Sequence, residues 1–323
     1  MRKFEFGMIF VFALVLASLF AVSCKSTSVA VPEVEDRMYW KIEGTDSKGN
    51  PSTVHILGTI HVGDERLFPL PGPIMSDFER ADRLVAELSS DDVNRMQGEL
   101  VKSLLASAMR SRGKNVLDQL SDKELETLFS VLDEKVARPL GIYEPWLLTN
   151  TISVFQYSSC GLDSSKGIDQ YLMDKARAEG RTWEGLDTLQ LQLDVMQFGT
   201  YEEQLASLKA ILMVLEDPTI FNVYINTLYD AYLAGDAEGV LRADEIGDEK
   251  LEKLSGIDED PEFEEYSKKY DEQLLAKRNR AWADKIKKCL SDGGETFIFA
   301  GCLHFIGKDS VFYFLRKNGT LRN

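Results

Sequence analysis

The sequence predicts an α/β or α+β domain in which helices flank a central β-sheet. Four short apolar runs have the composition of buried strands, at Thr53–Leu57, Arg83–Glu87, Arg181–Glu184 and Thr296–Ala300. Helical patterns fill most of the chain between them. Two of the predicted strands are followed by the same Gly-x-x-His pattern, so the sheet is expected to contain two strand–GxxH half-units. The 323 residues, 44% of them hydrophobic, are ample for a buried core.

At the N-terminus, a basic start and an almost unbroken apolar run over Met8–Val22 predict a signal peptide, residues 1–23. The run is shorter than a membrane span, which needs about 20 residues. Small residues lead into Cys24 in a pattern that resembles a bacterial lipobox. That pattern implies a lipid on the Cys24 thiol, with residues 24–37 as a tether to a membrane of the cell envelope, on its periplasmic or outer-membrane side. The alternative is an ordinary cleaved signal in which Cys24 has no special role.

The folded domain is predicted over residues 38–323 and is rich in helices. Capping boxes at Ser121–Glu124 and Thr200–Glu203 mark two helix starts. Pro145 suits the first turn of another helix. A helical insertion is expected over roughly residues 93–178.

The charge and the cysteines narrow the classes of protein. A formal net charge of −16 argues against a nucleic-acid partner, because phosphate binding needs a basic face. Three cysteines follow Cys24, so at most one disulfide can form within the domain. No two of them are spaced as CxxC, so a zinc site made of thiolates is not expected.

The two GxxH patterns hold two of the chain's three histidines. TVHILGTIHVG near the start and TFIFAGCLHFIG near the end each combine an apolar strand, a Gly-x-x-His and a following apolar residue. In open α/β sheets, ligands bind beyond the carboxyl ends of the strands, where His61 and His304 are expected. Gly58 and Gly301 are expected to turn the chain sharply or to let another group approach the backbone closely.

Glu87 ends a third predicted strand, where an unpaired acid would be costly to bury. Two imidazoles and a carboxylate on adjacent strand ends predict a divalent metal site made by His61, Glu87 and His304, with a position open for water. Taken singly, each residue has a structural alternative. A histidine at a strand end is often a hydrogen-bonded structural residue, and the acid could simply begin a loop.

Two further residues need separate interpretations. His55 lies inside a strand and is predicted to be a packed residue or one that supports a ligand. Arg278 lies four residues from both Leu274 and Trp282, on the apolar stripe of a helix that starts near Pro261. A buried guanidinium needs a partner, so Arg278 is a candidate to stabilise an oxyanion or an anionic substrate group. The alternative is a structural ion pair, or a long side chain whose charged end reaches solvent.

Six segments occur in the order in which similar segments occur in the TraB/GumN family: LGTIH at Leu57–His61, VAEL at Val85–Leu88, GIDQYL at Gly167–Leu172, GLDTLQLQ at Gly185–Gln192, RNRAWADKI at Arg278–Ile286 and FIFAGCLHFIG at Phe297–Gly307. The chain resembles this family, which includes the Tiki membrane-associated metalloproteases and pheromone-shutdown proteins, from about Trp40 to its end. The resemblance implies an α/β core related to the erythromycin-esterase and ChaN-like group. It also implies a divalent ion, with manganese or cobalt favoured and zinc as a third option.

The resemblance also assigns residues. The two family histidines map onto His61 and His304, the family glutamate onto Glu87, and the family's Arg-Asn pair onto Arg278 and Asn279. One departure concerns the GLET segment of the family, whose glutamate is Asp187 in this chain. A shorter acid can still support a ligand residue, but it reaches less far.

The leading hypothesis is therefore a lipid-anchored, metal-dependent hydrolase that attacks a peptide or related acyl bond with metal-activated water. His61, Glu87 and His304 would bind the ion, or Glu87 would instead be the general base. The second hypothesis is a binding lipoprotein without turnover, for a peptide, haem or a partner protein. A structural envelope protein is the third, and the oligomeric state is open.

Overall fold

A computed structural model describes residues 37–255 and 261–321 of the protein. The predicted signal peptide, Cys24 and the tether up to residue 36 lie outside the described residues. Cys160, Cys289 and Cys302 are free thiols.

Five strands form one mixed sheet: β1 (Tyr39–Thr45), β2 (Pro51–Thr59), β3 (Arg83–Ala86), β4 (Glu184–Gly185) and β5 (Gly294–Gly301). Their order across the sheet is β1-β2-β5-β3-β4. The strands β2, β5, β3 and β4 run parallel, whereas β1 pairs with β2 in the antiparallel direction at one edge. The predicted α/β class is therefore confirmed.

Helices cover the sheet and fill the connections between its strands: α1 (Gly72–Arg80), α2 (Ser90–Arg110), α3 (Asp122–Val131), α4 (Glu134–Leu140), α5 (Trp146–Ser159), α6 (Ile168–Ala178), α7 (Leu189–Met196), α8 (Tyr201–Leu215), α9 (Pro218–Leu233), α10 (Ala237–Ser255), α11 (Pro261–Asp271), α12 (Lys277–Asp292) and α13 (Val311–Lys317). Helices α2 to α6 lie between β3 and β4, where the sequence predicts the helical insertion. A second all-helical connection, α7 to α12, joins β4 to β5. Within the described residues, no helix is both long and apolar enough to cross a membrane.

The central strands are apolar because helices cover both faces of the sheet. In β5, the residues Phe297–Ala300 are completely buried. The ring of Phe78 on α1 meets that of Phe297 at 5.5 Å on one face. On the other face, Trp40 of β1 packs against Phe312 of α13, with ring centroids 5.3 Å apart. The strands β2 and β5 thus run side by side through the core, and they end at the same edge of the sheet.

Two strand predictions need correction. The sequence analysis misses β1, whose outer residues are exposed, so its apolar run is short. The predicted strand Arg181–Glu184 is wrong in its position, because only Glu184–Gly185 pairs with β3. Arg181 instead donates to the carbonyl oxygens of Phe78 and Ala81, at 2.9 and 2.6 Å, and so caps the end of α1.

One long helix carries Arg278 to the sheet. The five residues Glu272–Ala276 form a π-helical turn between α11 and α12, so the helix predicted from near Pro261 continues to Asp292. π-Helical turns are rare and occur frequently at functional sites. Arg278 lies two residues after the turn, and only 1% of its surface is exposed.

Candidate functional site

Three strands deliver side chains to one cavity at their carboxyl ends. His61 follows β2, Glu87 follows β3, and His304 ends a short 3-10 turn after β5. These three residues line a cavity of about 50 Å³, together with Arg278 and Gly301. The structure therefore brings the sequence-predicted site residues together, although they are up to 243 positions apart in the chain.

His61 is oriented by an acid on α6. Its Nδ1 lies 2.7 Å from Oδ2 of Asp169, whose Oδ1 accepts the hydroxyl of Thr59 at 2.6 Å. Its Nε2 lies 3.6 Å from Oε1 of Glu87. Burial alone would lower the pKa of the imidazole, but the carboxylates of Asp169 and Glu87 raise it to about 9. The imidazole of His61 is therefore positively charged at neutral pH when no ion is bound.

His304 is oriented by a neutral amide. The Nδ2 of Asn279 donates to the carbonyl oxygen of Asp309 at 2.9 Å, so Oδ1 of the same amide faces the imidazole. This oxygen lies 2.5 Å from Nδ1 of His304, which must carry the hydrogen. Burial, Arg278 and His61 hold the pKa of His304 well below its ordinary value. The Nε2 of His304 is thus an unprotonated nitrogen.

Glu87 is held by donors on both carboxylate oxygens. Its Oε1 accepts the backbone N–H of Gly301 at 3.0 Å. Its Oε2 accepts from Arg278 at 2.7 Å and from Gln192 at 3.1 Å. The carboxylate therefore has a fixed orientation, with Oε1 as the oxygen nearer to His61.

Asp187 holds Arg278 in place. The guanidinium donates to Oδ2 of Asp187 and to Oε2 of Glu87, each at 2.7 Å, and to the carbonyl oxygen of Leu274 at 3.0 Å. The other oxygen of Asp187 accepts the indole N–H of Trp282 at 2.7 Å. The shorter acid thus reaches its partners because Arg278 and Trp282 lie one helical turn apart on α12. Arg278 therefore forms the structural ion pair that was one of its alternatives, and it does not reach solvent. Its role towards an oxyanion or an anionic substrate group stays a prediction.

The two glycines allow close packing. Gly58 lies inside β2, so the expectation of a turn there is wrong. An added Cβ would lie 3.0 Å from the Cα of Cys302, the residue that follows β5. At Gly301, an added Cβ would lie 3.2 Å from Oε1 of Glu87 and 3.3 Å from Nε2 of His61. At both positions a side chain would press on a close neighbour, which is the backbone of Cys302 at Gly58 and the side chains of Glu87 and His61 at Gly301.

His55 lies apart from this cavity. Its Nδ1 lies 2.7 Å from the hydroxyl of Tyr39, and its ring stacks with that of Phe297 on the α1 face of the sheet. His55 is therefore a packed residue within the strand. Neither of these two partners lines the cavity.

Two residues of the site, Asp169 and Gln192, are not predicted from the sequence. Asp169 lies in the GIDQYL segment and Gln192 in the GLDTLQLQ segment, which resemble the family as segments. For Asp169, the sequence did contain one signal, which is an acid in the first turn of a helix two residues after Gly167. That glycine packs against the chain at His61, where an added Cβ would lie 2.4 Å from the carbonyl oxygen.

The donors suit a divalent cation in their chemistry. Both imidazoles have Nδ1 held by an oxygen, which is how metal-binding histidines are oriented. Imidazole nitrogen and carboxylate oxygen are ligands of manganese, cobalt and zinc. When both imidazoles are neutral, the carboxylates of Asp169, Glu87 and Asp187 outnumber the single guanidinium by two charges.

The geometry for three ligands is not assembled. Among the described residues, no three His, Cys, Asp or Glu side chains are close enough together to hold an ion. Two nitrogen atoms have the right chemistry for metal ligands, the Nε2 of His61 and the unprotonated Nε2 of His304. Glu87 is the carboxylate nearest to His61. A shared ion at His61, Glu87 and His304 therefore stays a prediction.

The fold and the cavity define a class of protein. It is an α/β domain in which paired strand–GxxH units place two histidines, an acid and an arginine around a cavity at the carboxyl edge of the parallel strands. Comparison of the sequence with known families agrees with this class. The model of the TraB/PrgY/gumN family matches residues 38–321, and the chain belongs to this family.

Two relatives show how widely the similarity extends. An "Uncharacterized protein" of Treponema pallidum (strain Nichols) is 32% identical over 321 residues, which cover 97% of this chain and 91% of the relative. "Uncharacterized protein YbaP" of Escherichia coli (strain K12) is 22% identical over 268 residues, or 81% of this chain and 87% of the relative. No solved structure gives a significant match.

Proposed function

We propose that the protein is a lipid-anchored, metal-dependent hydrolase of the cell envelope, which cleaves a peptide or related acyl bond in the cavity. One observation carries this proposal. His61 and His304 lie on the ends of neighbouring parallel strands, and an oxygen acceptor fixes Nδ1 of each imidazole. Glu87 and Arg278 line the same cavity. The cavity therefore combines two potential metal ligands, a potential base and a guanidinium.

The two Nε2 nitrogens would hold a manganese, cobalt or zinc ion. When bound, such an ion polarises a carbonyl and lowers the pKa of water. Glu87 either completes the ligand set or takes the proton of the attacking water. Oε1 is the atom for either role, because Arg278 and Gln192 already occupy Oε2.

Arg278 supplies positive charge beside the reacting group. Its contacts to Asp187, Leu274 and Glu87 use three of its five N–H groups. Within the described residues, the other two are left for an oxygen that enters the cavity. Because Asp187 fixes the guanidinium before substrate arrives, little reorganisation is needed as charge develops on that oxygen.

The position in the envelope rests on the N-terminal sequence. The apolar run Met8–Val22 and the small residues before Cys24 support export and lipid attachment, and residues 24–37 would join the anchor to the domain. Intact mass measurement of the protein extracted from membranes tests this part independently of catalysis.

The decisive test combines ion content with turnover. The purified protein is expected to contain a divalent ion and to cleave members of a peptide library. His61→Gln and His304→Gln are expected to lose both, whereas His55→Gln, whose imidazole lies outside the cavity, keeps both. The proposal fails if the wild type binds no divalent ion and the two cavity variants change neither turnover nor stability.

Binding without turnover is the second candidate. The observation that favours it is the ligand geometry, since no three potential ligands are gathered within the described part of the chain. Saturable binding of a library peptide, with no cleavage when manganese, cobalt or zinc is added, would establish it. A haem-binding version predicts a Soret band on titration with haem.

A further inference from the structure

A second cavity lies between helices α8, α9 and α10. It has a volume of about 150 Å³. Its wall includes Phe221, Tyr224 and Ala243, and its rim includes Val223 and Ile246, which are 55% and 52% exposed. No charged side chain lines it among the described residues.

We propose that this cavity binds one acyl chain of the lipid anchor on Cys24. The inference rests on the lipid attachment of the proposed function and is independent of metal binding and hydrolysis.

The size of the cavity suits a segment of hydrocarbon. A cavity of about 150 Å³ accepts a molecule of the size of benzene, so roughly six carbon atoms fit. The exposed rim at Val223 and Ile246 lets the rest of a longer chain leave the cavity along an apolar surface. Gly247 shapes the wall, because an added Cβ would lie 2.7 Å from the ring of Tyr224.

Among the described residues that line the cavity, no charged side chain is present to pair with a carboxylate. A free fatty acid carries a carboxylate, which is costly to bring to an apolar rim without a partner. The acyl groups of a lipidated cysteine are joined by amide or ester bonds and carry no charge at that end. The cavity is therefore better matched to an anchor than to a free acid.

The described chain begins beside the same helix. Arg37 donates to the carbonyl oxygen of Leu67 at 2.7 Å. The neighbouring Arg66 pairs with Asp230 of α9 at 3.1 Å. Asp230 is six residues from Tyr224, or about 9 Å along a helix. The thirteen residues from Cys24 to residue 36 span up to about 45 Å when extended, which is ample to reach the rim.

A photo-crosslink within the lipidated full chain tests the proposal. Cells are fed a diazirine-bearing fatty acid, the protein is extracted after irradiation, and its cross-linked peptides are mapped by mass spectrometry. Cross-links from the anchor to α9 and α10 are expected. Thr227→Trp, at the rim, is expected to reduce them more than about tenfold, since each methylene expelled changes the equilibrium about fourfold.

Three controls separate the outcomes. Asn226→Trp, exposed on α9 and outside the cavity wall, should leave the cross-links unchanged. Equal cross-linking in Thr227→Trp, or cross-links from the anchor to lipids only, overturns the proposal. Labelling of α9 and α10 in Cys24→Ala, which has no anchor, would show that the occupant is a membrane lipid and also overturns it. Intact mass reports acylation itself, so failure of the anchor is distinguished from failure of the cavity.

Discussion

The protonation state of each imidazole in the cavity depends on the residue that contacts its Nδ1. Asp169 gives His61 a charged acceptor and raises its pKa to about 9 against the effect of burial, while the Asn279 amide gives His304 a neutral one. Two histidines in similar sequence motifs therefore have different protonation states at neutral pH. An ion that binds both must displace a proton from His61 but none from Nε2 of His304.

Loss of the Asn279 acceptor is expected to weaken metal binding. Asn279→Leu keeps the size of the side chain but leaves Nδ1 of His304 without its fixed partner. Residues that orient metal ligands typically contribute about 10–100-fold to affinity. Titration with manganese, followed by calorimetry, measures the change, and Asn226→Leu on exposed α9 is the control. Unchanged affinity in Asn279→Leu would exclude His304 as a ligand oriented in this way.

His55 is expected to make the protein sensitive to acid. Its buried Nε2 has no hydrogen-bond partner among the described residues. Burial lowers the pKa of His55 below its ordinary value of 6.5, against nearby carboxylates that raise it. The charged groups around the ring are Asp77, Glu295, Lys41 and Arg80.

Proton uptake determines the direction in which the free energy of unfolding changes with pH. Below pH 6.5 the unfolded chain binds a proton at this histidine before the folded chain does, so unfolding becomes easier. The stabilisation is complete above this pH and falls by about 1.4 kcal/mol per pH unit until the folded pKa is reached. Urea unfolding of the wild type and His55→Gln at pH 7.5 and pH 5 measures it. The prediction is contradicted if the difference in unfolding free energy between the wild type and His55→Gln does not become smaller from pH 7.5 to pH 5.

At the scale of elements, the paired strands β2 and β5 bring the two GxxH units together. Their register sets Gly58 opposite Ala300 and Thr59 opposite Gly301. The chain after β5 therefore crosses directly over Gly58, and the N–H of Gly301 faces Glu87. The glycine of the first motif thus lies against the end of the neighbouring strand, and that of the second motif lies against the side chains of Glu87 and His61.

A methyl group at Gly58 is expected to destabilise the fold. Gly58→Ala places Cβ 3.0 Å from the backbone of Cys302, which cannot move without shifting the strand end. Overpacking of this kind costs about 1–3 kcal/mol. Gly98→Ala is the matched control, because Gly98 lies inside α2 with open space around it, and the change should stabilise by about 0.5–1 kcal/mol. Equal unfolding free energies for the two variants in urea would refute the packing argument.

At the scale of the whole molecule, the polar cluster joins connections that are distant in the chain. Glu87, Asp187 and Arg278 come from the ends of β3 and β4 and from α12, and Gln192 adds a donor from α7. Each buried charge has a partner from another segment. The cluster can form only when the sheet and the second helical connection, α7 to α12, are in place.

Removing one carboxylate should destabilise the whole fold. Asp187→Asn leaves Arg278 buried with a single anionic partner and weakens the contact to Trp282. Because Glu87 still compensates the guanidinium, the loss of this one charged acceptor costs about 1–3 kcal/mol. Asp284→Asn, exposed on α12, should stay within about 0.5 kcal/mol of the wild type in urea. A similar small effect in Asp187→Asn would show that this cluster contributes little to stability.

Local pattern in the sequence was sufficient for the class of fold and for most candidate residues. Strands β2 and β5 are apolar runs because both faces of the sheet are covered, and this property is visible without coordinates. Arg278 was identifiable because a charge on an apolar stripe is unusual at the local level. β4 was misplaced because Trp183 and Arg181 are held by contacts with other segments, which no local pattern contains.

By itself, the sequence determined an α/β domain, two GxxH units, and the acid and the arginine that accompany them, because periodicity and motif are local properties. Only the tertiary structure decided which groups meet. It placed Asp169 behind His61, set Asn279 behind His304, and joined Asp187 to Arg278, because such contacts depend on how strands and helices from separate parts of the chain pack together.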